Sequence, residues 1–171
     1  MSAIRIERLR GVTDDDVAGL AALLVDAVDS GASVSFMAGL SPADAAAWWT
    51  STLEAVTPRT VFLVARDDAG IAGTVQLHPA WPPNQPHRAD VAKLMVHRRA
   101  RGKGVARALM QELEDQAREG QATLLLVITC KGSDAERLYT SLGWQRVGEV
   151  PKFALNPNGS WCDTVFFYRS I

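Results

Sequence analysis

The segment Leu94–Leu109 reads LMVHRRARGKGVARAL and carries the clearest chemistry in the chain. An apolar run ends at Leu94, Met95 and Val96. Arg98, Arg99, Arg101, Lys103 and Arg107 follow, with Gly102 and Gly104 among them. That order predicts a strand, a turn with exposed backbone N–H groups, and the start of a helix. A helix N-terminus has unpaired N–H donors and the positive end of the helix dipole, so it suits a phosphate. Glycine lets backbone approach a ligand with no Cβ in the way. A Rossmann dinucleotide site fits less well. It needs a third glycine three residues after the second, and Arg107 stands there.

The elements that must position this turn follow from composition and periodicity. The chain has 171 residues, 47% hydrophobic and 22% charged, which predicts one domain over residues 1–171 with a substantial core. The net charge of −1 favours neither nucleic acid nor a membrane as partner. The basic cluster is therefore local, and a local cluster needs a local anion. No apolar run approaches the roughly 20 residues that span a bilayer. The N-terminal MSAIRIERLR lacks the apolar core of a signal peptide, so the expected location is the cytoplasm. Cys130 and Cys162 show no metal-ligand spacing with His78, His87 or His97, so no metal is expected. In a reducing compartment both are expected to be free thiols.

Ile4–Leu9 alternates and predicts a strand. Thr13 or Asp14 caps a helix to about Val28, with Val17, Leu20, Leu23, Leu24 and Ala27 on its apolar stripe. Gly31–Gly39 is a small, flexible, apolar stretch. Ser41-Pro42 opens a second helix that carries Trp48 and Trp49 and ends before Pro58. Val61–Ala65 and Ile71–His78 predict a hairpin, and the proline-rich Pro79–His87 a loop. Ala89–Val96 leads into the glycine turn, and a helix runs over Gly104–Glu119. Thr123–Thr129 is continuously apolar, which predicts a central strand buried on both faces. Ser133 or Asp134 caps a helix through Leu142. Trp144–Val150 and Thr164–Tyr168 predict two strands, joined by a loop with a turn at Asn156–Gly159.

The glycine turn resembles the acyl-CoA-binding motif of the GNAT N-acetyltransferase superfamily, Arg/Gln-x-x-Gly-x-Gly/Ala, here Arg99-Ala100-Arg101-Gly102-Lys103-Gly104. The resemblance runs from end to end. A closer likeness is to the tabtoxin-resistance acetyltransferase group, carried by GASVSFMAGL at Gly31–Leu40, by RADVAKLMVHRRARGKG at Arg88–Gly104, and by the C-terminal GEVPKFALNPNGSWCDTVFFYRSI. It implies an α/β (α+β) fold of the GNAT type. The central sheet is then mixed, mostly antiparallel, with six to seven strands splayed between strands 4 and 5 and about four flanking helices. The implied reaction is direct attack of an amine on the acetyl-CoA thioester, with acetyl-CoA as cosubstrate and no metal.

The resemblance also assigns roles. Backbone amides over Arg101–Ala106 (Arg101, Gly102, Lys103, Gly104, Val105, Ala106) would hold the pyrophosphate, with Met95 and Val96 beside the thioester and the Val96 N–H facing the oxyanion. Ser133 would serve pantetheine in place of the superfamily asparagine, at whose position Gly132 stands. Asp90 matches an acidic position before the motif strand and is the expected base. On an extended strand it shares a face with Ala92, Leu94 and Val96, and apolar neighbours raise a carboxylate's pKa. A water chain is the alternative. Tyr139, within Ala135-Glu136-Arg137-Leu138-Tyr139 and ahead of Leu142-Gly143-Trp144, is the expected acid toward the leaving thiolate. Phe36, Met37 and Trp81 are the expected acceptor-pocket residues. Ile128 replaces an acid found near the end of strand 5 in the tabtoxin-resistance group.

These features point to an N-acetyltransferase acting on a primary amine of a small molecule, such as a toxin, an antibiotic or an amino-acid-like compound. A peptide or protein N-acetyltransferase and a non-catalytic acyl-CoA-binding regulator are the alternatives. Exposed edge strands and the tryptophans of the second helix permit a homodimer.

Overall fold

The computed structural model describes residues 4–171. Seven strands form one sheet: β1 (Arg5–Arg8), β2 (Val61–Asp67), β3 (Gly70–Pro79), β4 (Arg88–Val96), β5 (Leu124–Cys130), β6 (Gln145–Leu155) and β7 (Trp161–Ser170). Four α-helices flank it: α1 (Asp14–Asp29), α2 (Pro42–Glu54), α3 (Val105–Glu119) and α4 (Asp134–Ser141). The spatial order is β1-β2-β3-β4-β5-β7-β6. Every neighbouring pair is antiparallel except β4–β5, which is parallel.

The period of two along β2 explains the two layers. Val61, Leu63 and Ala65 point to one face and join Val105, Leu109 and Leu113 of α3 in one core. Phe62 and Val64 point to the other and meet Leu20, Leu24 and Trp49 of α1 and α2. Residues that alternate faces and are all apolar make a strand buried on both sides. Trp48 and Trp49 separate for the same geometric reason. Adjacent helical positions differ by about 100°, so Trp49 is fully buried and donates its indole N–H to the Leu20 carbonyl at 2.9 Å, while Trp48 stays partly exposed.

The helix caps lie where expected. Thr13 makes a reciprocal capping box with Asp16, and Ser41 and Ser133 cap α2 and α4. Three expectations need correction. The expected loop after Val150 is mostly strand: β6 and β7 run as a hairpin out to Leu155 and Trp161, with an irregularity between Val150 and Ala154. Pro151 is tolerated there because β6 is the sheet edge. β5 is central, yet Ile128 is 47% exposed, so one face of the strand is left open near its end. The two cysteines are not free: Cys130 at the end of β5 and Cys162 at the start of β7 form a disulfide, with Cα atoms 5.7 Å apart. Antiparallel β5–β7 pairing brings together residues 32 apart in sequence.

Candidate active site

Two strands that start together and part create the central gap. β4 and β5 pair at Arg88–Leu124, Ala89–Leu125 and Asp90–Leu126. Beyond those pairs β4 runs on to Val96 and β5 to Cys130 with no register between them. The His97 N–H donates to Ala72 on β3 at 2.8 Å. Backbone groups alternate sides along a strand, so the Val96 N–H and C=O turn the other way, toward the gap. The Val96 carbonyl is met there by Arg101 Nε at 3.0 Å.

The glycine turn stands at the mouth of this gap. A 3-10 turn over Arg98–Ala100 follows β4, and α3 begins at Val105. Gly102 and Gly104 have φ of +73° and +79°, and a Cβ built on either would meet nothing within 4 Å. The space in front of the turn is open. The first backbone bond of α3 is Ala108 N–H to the Gly104 carbonyl, and Gly104 makes no side-chain cap. The N–H groups from Gly102 to Arg107 therefore have no acceptor among the described residues. This cradle of free donors before open space fits a pyrophosphate.

The basic cluster behaves differently from the expectation that it awaits a ligand anion. Much of its charge is met inside the protein. Asp26 of α1 accepts the Arg98 N–H at 2.9 Å, pairs with the Arg98 guanidinium, and lies 3.7 Å from Arg101 and 3.8 Å from His97. Asp67 holds Arg99 at 3.1 Å, and the Ile71 carbonyl accepts from the same guanidinium at 2.8 Å. Arg107 bonds the Ser141 hydroxyl at 2.8 Å. The arginines brace the turn, and Lys103 alone of the five makes no hydrogen bond or ion pair among the described residues.

On the α2 face of the sheet lies a polar strip. His78 of β3 sits opposite Asp90 of β4, and Gln76 opposite Ala92. Arg88 reaches Asp90 at 2.6 Å, and the Asp90 side chain is 49% exposed. Asp90 thus stands beside a guanidinium and solvent rather than in the apolar setting that spacing suggested. An irregularity of register between Thr74 and Gln76 opens a bulge in β4 at Lys93, whose φ is +54°. Lys93 Nζ donates to the Val34 carbonyl and to Ser35 Oγ, each at 2.8 Å, and lies over the rings of Trp48 and Phe36. Burial pushes its pKa down. The bulge thereby ties the Gly31–Leu40 segment to the sheet. The Ala38 N–H then reaches the Pro157 carbonyl at 2.9 Å, joining that segment to the tip of the β6–β7 hairpin.

Phe36 packs edge-on against Trp48, with centroids 5.1 Å apart, and Trp48 and Trp81 line one cavity of about 770 Å³. Met37 is exposed near these but does not line that cavity. Trp81 is 90% exposed. Tyr139 lies on the opposite face, buried against Trp144 and Phe167, and desolvation drives its pKa well up. Ser133 spends its hydroxyl on the α4 cap, accepting from Glu136 N–H at 3.2 Å, and on Thr129 at 3.1 Å. Met95 is buried on the α1 side, and Val105 opens α3 in the opposite core. Among the described residues no group of His, Cys, Asp or Glu could hold a metal ion, and no helix is long and apolar enough to cross a membrane.

Sequence reasoning missed Asp26, Gln76, His78 and Lys93 as parts of this arrangement. Only Lys93 left a trace, as a charge interrupting the apolar run Val91–Val96.

Comparison with known proteins adds the family. The acetyltransferase (GNAT) family matches residues 26–144. N-acetyltransferase 8 of Rattus norvegicus is 34% identical over 90 residues, covering 52% of this chain and 40% of the relative, so the match spans less than half of that protein's length. An N-acetyltransferase from Staphylococcus aureus Mu50 superposes with a TM-score of 0.79 at 19% identity, covering 99% of each chain. The Salmonella typhimurium protein yncA, solved with its cofactor acetyl-CoA, gives a TM-score of 0.76 at 20% identity, covering 98% of this chain and 94% of that one. At these identities the solved structures establish a shared fold.

Proposed function

The chain belongs to the acetyltransferase (GNAT) family, and we propose that it transfers the acetyl group of acetyl-CoA to a primary amine of a small molecule. The observation that carries the reading is the cradle at Gly102 and Gly104, where free N–H donors face open space at the mouth of the β4–β5 gap. The structural similarity to a protein solved with acetyl-CoA supports the choice of cosubstrate.

Acetyl-CoA supplies an activated thioester. The residues of this chain bind, orient and handle protons. The N–H groups from Gly102 to Ala106, that of Val105 among them, and Lys103 would hold the pyrophosphate, while the buried Met95 would back β4 from the α1 side. The Val96 N–H, turned into the gap, would face the oxygen that gains charge. Such a donor is typically worth about 3–4 kcal/mol in the transition state. Asp90 is the carboxylate that meets the incoming ammonium. Tyr139, kept protonated by burial, would supply the proton to the departing sulfur. Ser133 stands at the cap of α4 beside the expected pantetheine path. Phe36, Met37 and Trp81 would border the acceptor, and the likeness to the tabtoxin-resistance group supports a toxin, antibiotic or amino-acid-like amine.

Calorimetric titration with acetyl-CoA, followed by a screen of amines for free-thiol release, tests the reading. Binding with amine-dependent release is expected. Binding without release by any amine would point to a regulator, and no binding would remove the central inference.

A further inference from the structure

We propose that the Cys130–Cys162 disulfide is a thiol-exchange site, and that its opening frees the segment that borders the acceptor. A low-molecular-weight thiol attacks Sγ of Cys130, Cys162 leaves, and the outer end of the β6–β7 hairpin loosens. The consequence for the acceptor rests on the acetyltransfer reading; the exchange itself does not.

The disulfide stands where this side of the sheet thins to two strands. β5 ends at Cys130, which pairs with Thr164 of β7. Beyond that pair, Cys162 and Trp161 pair only with Ala154 and Leu155 of β6. A two-stranded hairpin is marginal in water by itself. This one is also poorly covered, with Phe153, Leu155 and Trp161 exposed by 48%, 40% and 60%. The disulfide, with the Lys131 N–H donated to the Asp163 carbonyl at 2.8 Å, ties it to the end of β5. The same outer end holds the Gly31–Leu40 segment. The Ala38 N–H reaches the Pro157 carbonyl at 2.9 Å, and the Ser33 hydroxyl reaches the Leu155 carbonyl at 3.5 Å. A covalent tie at the base of the hairpin tip therefore acts on that segment through two hydrogen bonds.

Exposure and local partners set the order of events. Cys130 is partly exposed and Cys162 only 2% exposed, so an entering thiolate meets Cys130 first. Thr164 Oγ1 lies 3.8 Å from Cys162 Sγ and can donate to it as it leaves. Each sulfur also has an acceptor for a thiol proton. Asn156 Oδ1 is 3.5 Å from Cys130, and the Asp163 carbonyl is 3.6 Å from Cys162. Both the joined and the reduced pair are thus served in place. A disulfide within reach of solvent thiols is the kind that opens and closes reversibly.

A dithiol such as dithiothreitol closes the balance. Its first thiolate bonds to Cys130 Sγ as the bond between the two protein sulfurs breaks, and Cys162 takes up a proton. Its second thiolate displaces Cys130, which takes up another. The dithiol ends as a cyclic disulfide, oxidised by two electrons, and the protein as two thiols.

Hydrogen exchange of the wild-type protein before and after dithiothreitol tests the proposal with no substrate present. Protein first oxidised with glutathione disulfide and then titrated in guanidinium chloride should show no free thiol and, by intact mass, no glutathione adduct. Reduction should speed exchange at the amides of Ala154–Cys162 and Ser33–Ala38 about tenfold and leave β2, β3 and α3 unchanged. Free thiols in the oxidised protein, or exchange that reduction does not alter, would overturn the proposal. Single-cysteine variants test the order of attack. Cys162→Ala, which keeps Cys130, should react with dithionitrobenzoate about tenfold faster than Cys130→Ala, which keeps Cys162. Equal or reversed rates would overturn Cys130 as the point of entry. Acetyl-CoA affinity should agree within about twofold between the oxidised and reduced protein, since the cradle is not coupled to the hairpin tip. Affinity lost on reduction alone would overturn the proposal by placing the effect at the cradle. No binding by either form would instead remove the acetyltransfer reading and leave the exchange result standing.

Discussion

Asp26 Oδ2 accepts the backbone N–H of Arg98 at 2.9 Å, across 72 residues of sequence. The carboxylate sits in the last turn of α1, where the helix dipole disfavours negative charge. Arg98, Arg101 and His97 compensate it. One helix of the α2 layer therefore anchors the turn that leads to the cradle on the opposite side. Asp26→Asn should cost about 1–3 kcal/mol of stability, the range for a hydrogen bond to a charged group, because Arg98 and Arg101 are both largely exposed and solvent screens them. Urea unfolding measures the stability, and calorimetry should show acetyl-CoA binding weakened along with it. Stability lost with affinity intact would mean that the turn holds its shape without α1.

The same carboxylates set an acid limit. Burial alone would raise the pKa of Asp26 and Asp16. The Arg98 N–H and guanidinium, helped by His97, outweigh burial at Asp26, and Thr13 with Arg66 outweighs it at Asp16. Both stay below their ordinary 3.8. For Asp67 the Arg99 guanidinium is the main cause of a lowered value. A depressed carboxylate contributes stability that is complete above its unfolded pKa and is lost as pH falls through the folded one. Unfolding free energy should be level with respect to these three groups from neutral pH down to about 5, then fall steadily below about pH 4. In Asp26→Asn the fall should be shallower, and an identical slope would remove Asp26 from the account.

Two substitutions at Gly104 separate backbone strain from ligand exclusion. At φ +79° any L side chain is strained, yet a Cβ there meets nothing within 4 Å. Gly104→Ala should therefore cost about 1–2 kcal/mol of stability and leave acetyl-CoA binding measurable. Gly104→Glu carries the same strain and adds negative charge where phosphate would sit. Its melting temperature should match that of Gly104→Ala, and its acetyl-CoA binding should vanish in calorimetry. Equal affinities would place the phosphate elsewhere.

The parts of this arrangement that could be read from sequence are local ones. Leu94–Leu109 announces a strand, a turn and a helix because apolar period, glycine and a helical stripe follow one another directly. The caps at Thr13, Ser41 and Ser133 are legible for the same reason, since cap and helix are neighbours. What sequence hid depends on register or on distance. His78 meets Asp90 only through the β3–β4 pairing, and a shift of one residue would send it to the other face. Asp26 reads as an ordinary polar residue of an amphipathic helix until α1 packs over the end of β4. Pro151 and Lys152 look like loop residues, and only an edge position with an irregular register lets β6 continue through them. The disulfide is of the same kind: two unremarkable cysteines become neighbours once β5 and β7 pair.

Tyr139 offers a clean separation of chemistry from packing. Its ring fills space between Trp144 and Phe167, with centroids 5.7 and 5.9 Å away, and its hydroxyl makes no hydrogen bond among the described residues. Tyr139→Phe keeps the ring and removes only the proton donor. Stability and acetyl-CoA affinity should stay within about 0.5 kcal/mol of wild type, the usual range for a change that breaks no contact. Turnover should fall by about 100-fold or more if the hydroxyl protonates the leaving sulfur. Because burial raises its pKa, the residue should also contribute no limb to the pH profile below about pH 10, where an exposed tyrosine would titrate. Wild-type turnover in the variant would leave Tyr139 a core residue.

Lys93 holds the segment that would border the acceptor, and its contribution can be read without any substrate. Two hydrogen bonds from the ammonium, to the Val34 carbonyl and Ser35 Oγ, and its position over Trp48 and Phe36 favour the closed arrangement. Burial of the charge, evident in its lowered pKa, opposes it. A net of about 1–2 kcal/mol is left, given typical values for charged hydrogen bonds and cation–π contacts. Lys93→Met fills similar volume and removes the charge. Amides of Ser33–Ala38 should then exchange about tenfold faster by mass spectrometry, while those of α3 remain unchanged. The acceptor KM should rise more than kcat falls, since the segment shapes the pocket and takes no part in bond making. Unaltered exchange would mean that the Ala38–Pro157 bond to the β6–β7 tip holds the segment by itself.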